Sequence, residues 1–298
     1  MKIIKKAVLM IFLVVYGNIQ LCAQSLYPSF FLQIQNNYAF DNPAASSTYE
    51  YRDFRVMNSF YTGLLKNVGV YYVDASCKIN SKNAVIHTPG FVVHTEYETD
   101  LLKRTRVYFR YAIQISLNDK LKLSAGIAAG VFNYSVKGTN SSAGTSAFAP
   151  DGNLGLWLHG KKINAGIAAD QIFASEVAPV NYKFTLARYA ALIFDYKVDL
   201  SARTNIVFVA KSYLGGKGIA GMQGGVICNI IPNVSAGLLY YYNKGFGGNL
   251  MLKELKIDSI YGELSFTYFQ PSAYLNTLNS NRMEIMLRFF LRNNNREK

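Results

Sequence analysis

The sequence predicts an all-β protein: a transmembrane antiparallel β-barrel of about 14 strands behind a cleaved N-terminal signal peptide. Three observations predict it. Apolar residues recur with a period of two over segments longer than the strands of soluble sheets. No stretch beyond the amino terminus approaches the roughly 18 consecutive apolar residues of a spanning helix. The composition is aromatic (14%) yet poor in charge (16%), as suits a surface that faces hydrocarbon between aromatic borders.

The amino terminus sets the compartment. Met1 to Lys6 carries three lysines, Ala7 to Tyr16 is an apolar run of ten residues, and Leu21-Cys22-Ala23 precedes Gln24. This is the layout of a secretory signal cut between Ala23 and Gln24, and the run is half the length of a spanning helix. Leu21 stands before Cys22 where a lipoprotein carries a small residue, so lipidation is not expected. Loss of residues 1–23 removes three lysines from the formal +13 and leaves +10. Lys and Arg are scattered among strand-like segments, so no nucleic-acid partner is expected; a basic lumen, or contact with anionic outer-membrane lipid, is. Cys77 and Cys228 remain, 151 positions apart. An oxidising compartment permits a disulfide between them; two small apolar side chains are the alternative.

The strand rhythm is clearest from Val107. Val107, Phe109, Tyr111, Ile113 and Ile115 alternate with Tyr108, Arg110, Ala112, Gln114 and Ser116. After an Asn118-Asp119 turn, Leu121, Leu123, Ala125, Ile127, Ala129 and Val131 alternate with Lys122, Ser124, Gly126, Ala128 and Gly130. Both strands have the 9 to 11 residues that a tilted bilayer crossing needs. The pattern recurs in Leu154, Leu156 and Leu158, in Ile163, Ala165, Ile167 and Ala169 after a Gly160-Lys161 turn, and in Ile260, Leu264, Phe266 and Tyr268. It ends with Met283, Ile285, Leu287, Phe289 and Leu291, against which Glu284, Arg288 and Arg292 would point into a lumen. Turns are expected at Ile231-Pro232-Asn233, Asn243-Lys244-Gly245 and Asn279-Ser280-Asn281, and a loop over Lys137 to Pro150.

Two places break the rule. Arg188 falls on the apolar set Phe184, Leu186, Ala190, Leu192 and Phe194, and a lipid-facing Arg at mid-bilayer costs about 2–4 kcal/mol. Either the register shifts there or Arg188 lies at the interface. Ser76 to Asp100 is weakly patterned. The organisation expected is a signal over 1–23, a lead segment over 24–49, the barrel over 50–292 and a polar tail over 293–298.

Gln24-Ser25-Leu26-Tyr27-Pro28-Ser29-Phe30-Phe31, followed by Asn42-Pro43-Ala44-Ala45-Ser46, resembles the opening of the PorP/SprF family, with its Asn-Pro-Ala box at Asn42, Pro43 and Ala44. Asn118 to Leu123 is similar to the family's turn into a Lys-Leu strand, and Pro150 to Leu156 with Ile163 to Ile167 to its Pro-Asp, Gly hairpin. The closing strand, with Glu284, Ile285, Leu287, Phe289 and Phe290, resembles its Glu-Ile-x-Leu end. The resemblance implies an outer-membrane protein of Bacteroidota serving type IX secretion or gliding motility. Its implied partners are other secretion or gliding components and one secreted cargo protein or adhesin.

No catalytic constellation stands out, so no enzyme and no cofactor are expected. His87, His94 and His159 lack metal-ligand spacing, and no Gly-x-Ser-x-Gly elbow is present. Leu214-Gly215-Gly216-Lys217-Gly218 lacks the phosphate-loop spacing and reads as a strand connection. Asp195 with Asp199, and Glu254 with Asp258, are carboxylate pairs read as lying near strand ends. Tyr240 and Tyr242 share a face with Leu238 and suit an interfacial girdle. Two other functions stay open: a general porin or small-solute transporter, and a soluble secreted β-sandwich adhesin.

Overall fold

Fourteen strands close into a barrel in the computed structural model, which describes residues 31–80, 85–139, 143–179, 183–215, 218–272 and 280–292. They are β1 Arg52–Tyr61, β2 Gly69–Cys77, β3 Ile86–Tyr97, β4 Leu102–Ser116, β5 Leu121–Val136, β6 Thr145–Gly160 and β7 Ile163–Asp170. The second half is β8 Tyr189–Asp199, β9 Asn205–Gly215, β10 Gly218–Ile231, β11 Val234–Tyr241, β12 Gly245–Ile257, β13 Ile260–Pro271 and β14 Arg282–Leu291. Beyond Lys78, Ile79–Asn80 continues β2 alongside β3. Every strand pairs antiparallel with its sequence neighbours, and β1 closes on β14 with Arg52 opposite Leu291 and Tyr61 opposite Arg282.

The two-residue rhythm sorts the walls. On β4, Phe109, Tyr111, Ile113 and Ile115 are exposed, while Arg106, Tyr108, Arg110, Ala112 and Gln114 are buried. Phe194, Leu238, Leu250, Phe266 and Leu287 repeat the exposed apolar face around the barrel. A β-sandwich packs its apolar faces together; here they point outward and the polar residues point inward, which overturns the soluble-sandwich reading. Among the described residues closure leaves the barrel sheet without an unpaired edge strand, the condition for strands in hydrocarbon.

One mouth carries mostly short turns, such as Lys161-Lys162 between β6 and β7, Pro232-Asn233 between β10 and β11, and Asp258-Ser259 between β12 and β13. The other carries the longer excursions, between β5 and β6, β7 and β8, and β13 and β14. Barrels of this kind place short turns in the periplasm and long loops outside the cell, which fixes the orientation used below.

Three expectations need correction. The segment from Lys137 to Pro150 is not all loop, because Thr145 to Pro150 belongs to β6 and pairs with Val131 to Val136. Phe184 and Leu186 do not continue β8 toward lipid: Phe184-Thr185 pairs with Glu176-Val177 in a small ribbon. Leu186 and Val177 are buried against Phe132, Tyr134 and Ala149, whose inner faces would otherwise be open at the tall β5–β6 wall. Arg188 is exposed just before β8, its Nε donating to the Ile172 carbonyl at 3.0 Å, so the interface alternative holds. Asp195 does not lie near a strand end; it is buried in the middle of β8. The weakly patterned stretch resolves into the end of β2 and all of β3. The cut at Ala23 and Gln24, the lead residues Ser25 to Phe30, Lys217, Asn279 and the tail lie outside the described residues.

The lumen is not empty. Residues 31–51 run inside it as a 3-10 turn at Ile34–Asn36, one α-helical turn at Tyr38–Asp41 and a 3-10 turn at Pro43–Thr48. The wall spends its backbone groups on the strand ladder, so this plug must satisfy most of its own. Asn42 Oδ1 caps the last turn by accepting from the Ala44 amide at 3.0 Å, with Pro43 at the first position. At its end the hydroxyls of Ser46, Ser47 and Thr48 donate to the carbonyls of Pro43, Ala44 and Ala45 at 2.7–2.8 Å.

Candidate functional site

The plug and the wall that holds it form the site, in three tiers. Nearest the long-loop mouth, the Glu284 carboxylate accepts from the backbone amides of Leu32 and Gln33, each at 3.1 Å. The Tyr241 hydroxyl donates to the Leu32 carbonyl. Phe31 packs edge-on to Phe40 at 4.5 Å and lies 5.1 Å from the Tyr72 ring and 5.6 Å from that of His94. Glu284 in turn pairs with Arg282 at 3.4 Å.

In the middle tier Asp41 receives Lys211 Nζ at 2.8 Å and the Tyr213 hydroxyl. Both ionic groups are fully enclosed, with exposures of 0% for Lys211 and 1% for Asp41. Asn42 turns its amide to the wall, and Nδ2 donates to the Leu156 carbonyl at 2.9 Å and to the Ile167 carbonyl at 3.2 Å. Leu156 and Ile167 face each other across β6 and β7, and each carbonyl keeps a second lone pair for the plug.

The box fits because the wall opposite it is cut away. A methyl group added at Gly126 would sit 2.4 Å from the Ala44 nitrogen and 2.6 Å from the Pro43 carbonyl carbon. At Gly155 it would meet Asn42 Oδ1 at 2.0 Å, and at Gly166 it would meet the Trp157 ring at 2.2 Å. Trp157 stands beside the hollow with its ring 5.0 Å from that of Tyr38.

The innermost tier is cationic. The Arg55 guanidinium lies 3.3 Å from the Tyr49 ring centroid, with those of Arg110 and Arg288 at 6.0 Å, a desolvated cation–π cluster. Each arginine also has a carboxylate: Arg55 and Arg288 share Asp53, and Arg110 holds Asp74 at 2.6 Å. Ser47 meets Ser124 at 2.7 Å and accepts from Gln114 at 3.2 Å.

Replacing Asn42 by alanine removes two donor bonds to the wall and the cap on Ala44. Leaving the Ala44 amide unpartnered adds to the loss, and about 1–3 kcal/mol of stability should go. Thermal unfolding in detergent, followed by the gel shift between folded and unfolded barrel, measures it; an unchanged midpoint would show that Asn42 carries no load.

The structure thus brings Asn42, Pro43 and Ala44 onto the wall and Glu284 onto the start of the same plug. Ile285, Leu287 and Phe289 face outward, whereas Phe290 turns inward and stacks on Tyr261 at 5.5 Å beneath Arg288. The histidines stay apart: His87 bonds Tyr111 at 2.6 Å on the outer face, His94 is buried beside Phe31 and Phe40, and His159 meets Asn164. Asp195 accepts from Asn164 at 2.9 Å. Cys77 and Cys228 are both free. Among the described residues no group of three or more His, Cys, Asp or Glu is arranged to hold a metal ion. Asp41 and Lys211 were not singled out in the sequence; 170 positions apart, they leave no local signal.

A family model described as type IX secretion system membrane protein PorP/SprF matches residues 23–215, more than half of the chain. No curated protein matches by sequence. Among solved structures the chain is similar to the CymD monoaromatic hydrocarbon channel (TM-score 0.51, 10% identity, covering 87% of this chain and 91% of that one). It is also similar to the toluene transporter TbuX of Ralstonia pickettii (0.51, 9%, 84% and 91%) and to the toluene transporter TodX of Pseudomonas putida (0.51, 9%, 85% and 93%). At such identities the likeness concerns the fold.

Proposed function

Because the chain belongs to the PorP/SprF family of type IX secretion system membrane proteins, we propose that it assists the export or surface anchoring of one specific secreted protein or adhesin, without enzymatic activity. It is an outer-membrane β-barrel of a Gram-negative cell. The observation that carries the reading is the extent of the family match, which takes in the whole plug and strands β1 to β9. The segment that fills the lumen therefore belongs to the family-like part of the chain, and so does the wall that seats it.

Deleting the gene should remove one exported protein from the surface or the medium, or abolish gliding, and a tagged chain should co-purify with other secretion components. An unchanged secretome and unchanged motility, with no such component recovered, would overturn the reading. A small-solute transporter draws support from the barrel fold, but the plug stands in the way of a solute path. The purified protein should show no steady conductance in planar bilayers and no swelling of liposomes. A stable open channel in the unmodified protein would favour the transporter instead.

A further inference from the structure

Charges elsewhere in the lumen are matched: Lys211 with Asp41 at 2.8 Å, Arg110 with Asp74 at 2.6 Å and Arg282 with Glu284 at 3.4 Å. The short-turn mouth is different. Lys122 lies on the same face of β5 as Ser124, which touches the plug, and Lys197 on the same face of β8 as buried Asp195. Lys253 follows the inward face of Met251, and beyond the bulge between Leu252 and Leu255 Lys256 reaches the Tyr261 ring at 5.7 Å. Lys162 adds a fifth ammonium in the turn before β7.

Little opposes them. Asp199 alone is shared between Lys162 at 3.6 Å and Lys197 at 3.4 Å. Among the described residues, Lys122, Lys253 and Lys256 form no ion pair within 4.0 Å, and the Lys253 ammonium donates to the neutral Asn229 Oδ1 at 2.5 Å. The carboxylates that act on Lys253, those of Glu263 and Glu254, are already held by Arg288 at 3.0 Å and Arg292 at 2.7 Å. Lys122 near the start of β5, Lys197 near the end of β8 and Lys253 near the end of β12 all lie by the strand ends that border the short turns, so their charge gathers at one opening.

We propose that this mouth is a docking vestibule for a carboxylate-rich polypeptide segment of a periplasmic partner, an inference that rests on the secretion reading for its supply of such a partner. The lysines follow the inner face, away from lipid head groups. The last turn of the plug, with Ser47 against Ser124 and Gln114, lies on the lumen side of Lys122. An extended acidic segment repeats its side chains on one face every ~6.6 Å, a ladder that the long lysine side chains can meet. Complementary charge of this kind speeds and orients association.

The test uses the full-length protein in detergent and fluorescein-labelled hexaglutamate, read by anisotropy at low salt. Hexaglutamate should bind, hexalysine should not, and raising the salt should weaken binding steeply. The triple variant Lys122→Gln, Lys197→Gln, Lys253→Gln should lose at least tenfold in affinity while keeping its folded-barrel gel shift. A control at the opposite mouth, Lys66→Gln, Lys103→Gln, Lys137→Gln, should bind as the parent does. Equal affinity in the inner-mouth variant, or equal loss in the control, would overturn the proposal. So would full competition by inorganic phosphate at matched charge, which marks a small-anion site, or loss of bound phosphatidylglycerol from the inner-mouth variant in native mass spectrometry, which marks a lipid site. If hexaglutamate fails to bind while the tagged chain still recovers secretion components, the vestibule falls and the secretion reading stands. Peptide binding together with an unchanged secretome and motility upholds the vestibule and removes the secretion reading.

Discussion

Replacing Gly126 by valine should drive the Asn42–Thr48 turn off the wall and turn a silent barrel into a conducting one. The first added carbon would meet three backbone atoms of Pro43 and Ala44 at 2.4–2.6 Å. Backbone, unlike a flexible side-chain end, has no rotamer to escape into. The wall cannot yield either, because Gly126 sits mid-strand between Ala112 on β4 and Gly155 on β6 and moving it breaks two ladders. Overpacking in a filled interior typically costs ~1–3 kcal/mol, and a contact with fixed backbone on both sides belongs at or above the top of that range. Single-channel recording should show openings absent from the parent, and a protease added to the detergent-solubilised protein should cut within residues 31–51. Gly248→Ala, with nothing within 4 Å of the added carbon, should leave both readouts unchanged. A Gly126→Val protein as silent and as protected as the parent would refute the account of the hollow.

Asp41→Ala should be the most damaging single loss of charge. It leaves the Lys211 ammonium, with no exposure to solvent, facing an apolar methyl, and stranding one partner of a buried pair costs ~3–5 kcal/mol. Removing both charges with Asp41→Ala and Lys211→Met should restore most of the stability, since a buried pair exchanged for apolar groups is often neutral. Urea midpoints of the barrel gel shift decide it. Single and double variants that melt alike would mean that the pair is solvated and the plug looser than the structure has it.

Much of the wall was legible because its code is local. Each strand must present alternating faces to lipid and lumen, so Phe109 and Arg110, or Ile285 and Glu284, announce their sides by themselves. Where the code failed, a long-range partner had taken over. Leu186 looked lipid-facing by parity, but the excursion between β7 and β8 folds back and buries it on Phe132 and Tyr134. The plug left no periodic trace, since turns of three to six residues are too short to show one. The small residues Gly126, Ala128 and Gly130 were visible on the non-apolar face, and Asn42-Pro43-Ala44 as a resemblance. Nothing in the order of residues says that these fit together, because the fit is made across β5, β6 and β7.

The seam at β1 and β14 has a bearing on biogenesis. The plug runs directly into β1, and Leu32 and Gln33 are held by Glu284 of β14, so one short segment grips both sides of the β1–β14 junction. A nascent chain that seats this segment early brings its first and last strands together and so shortens the search for closure. Shortening the segment would then show itself less as a leak than as a shortage of mature protein, with the unfinished chain left to periplasmic proteases.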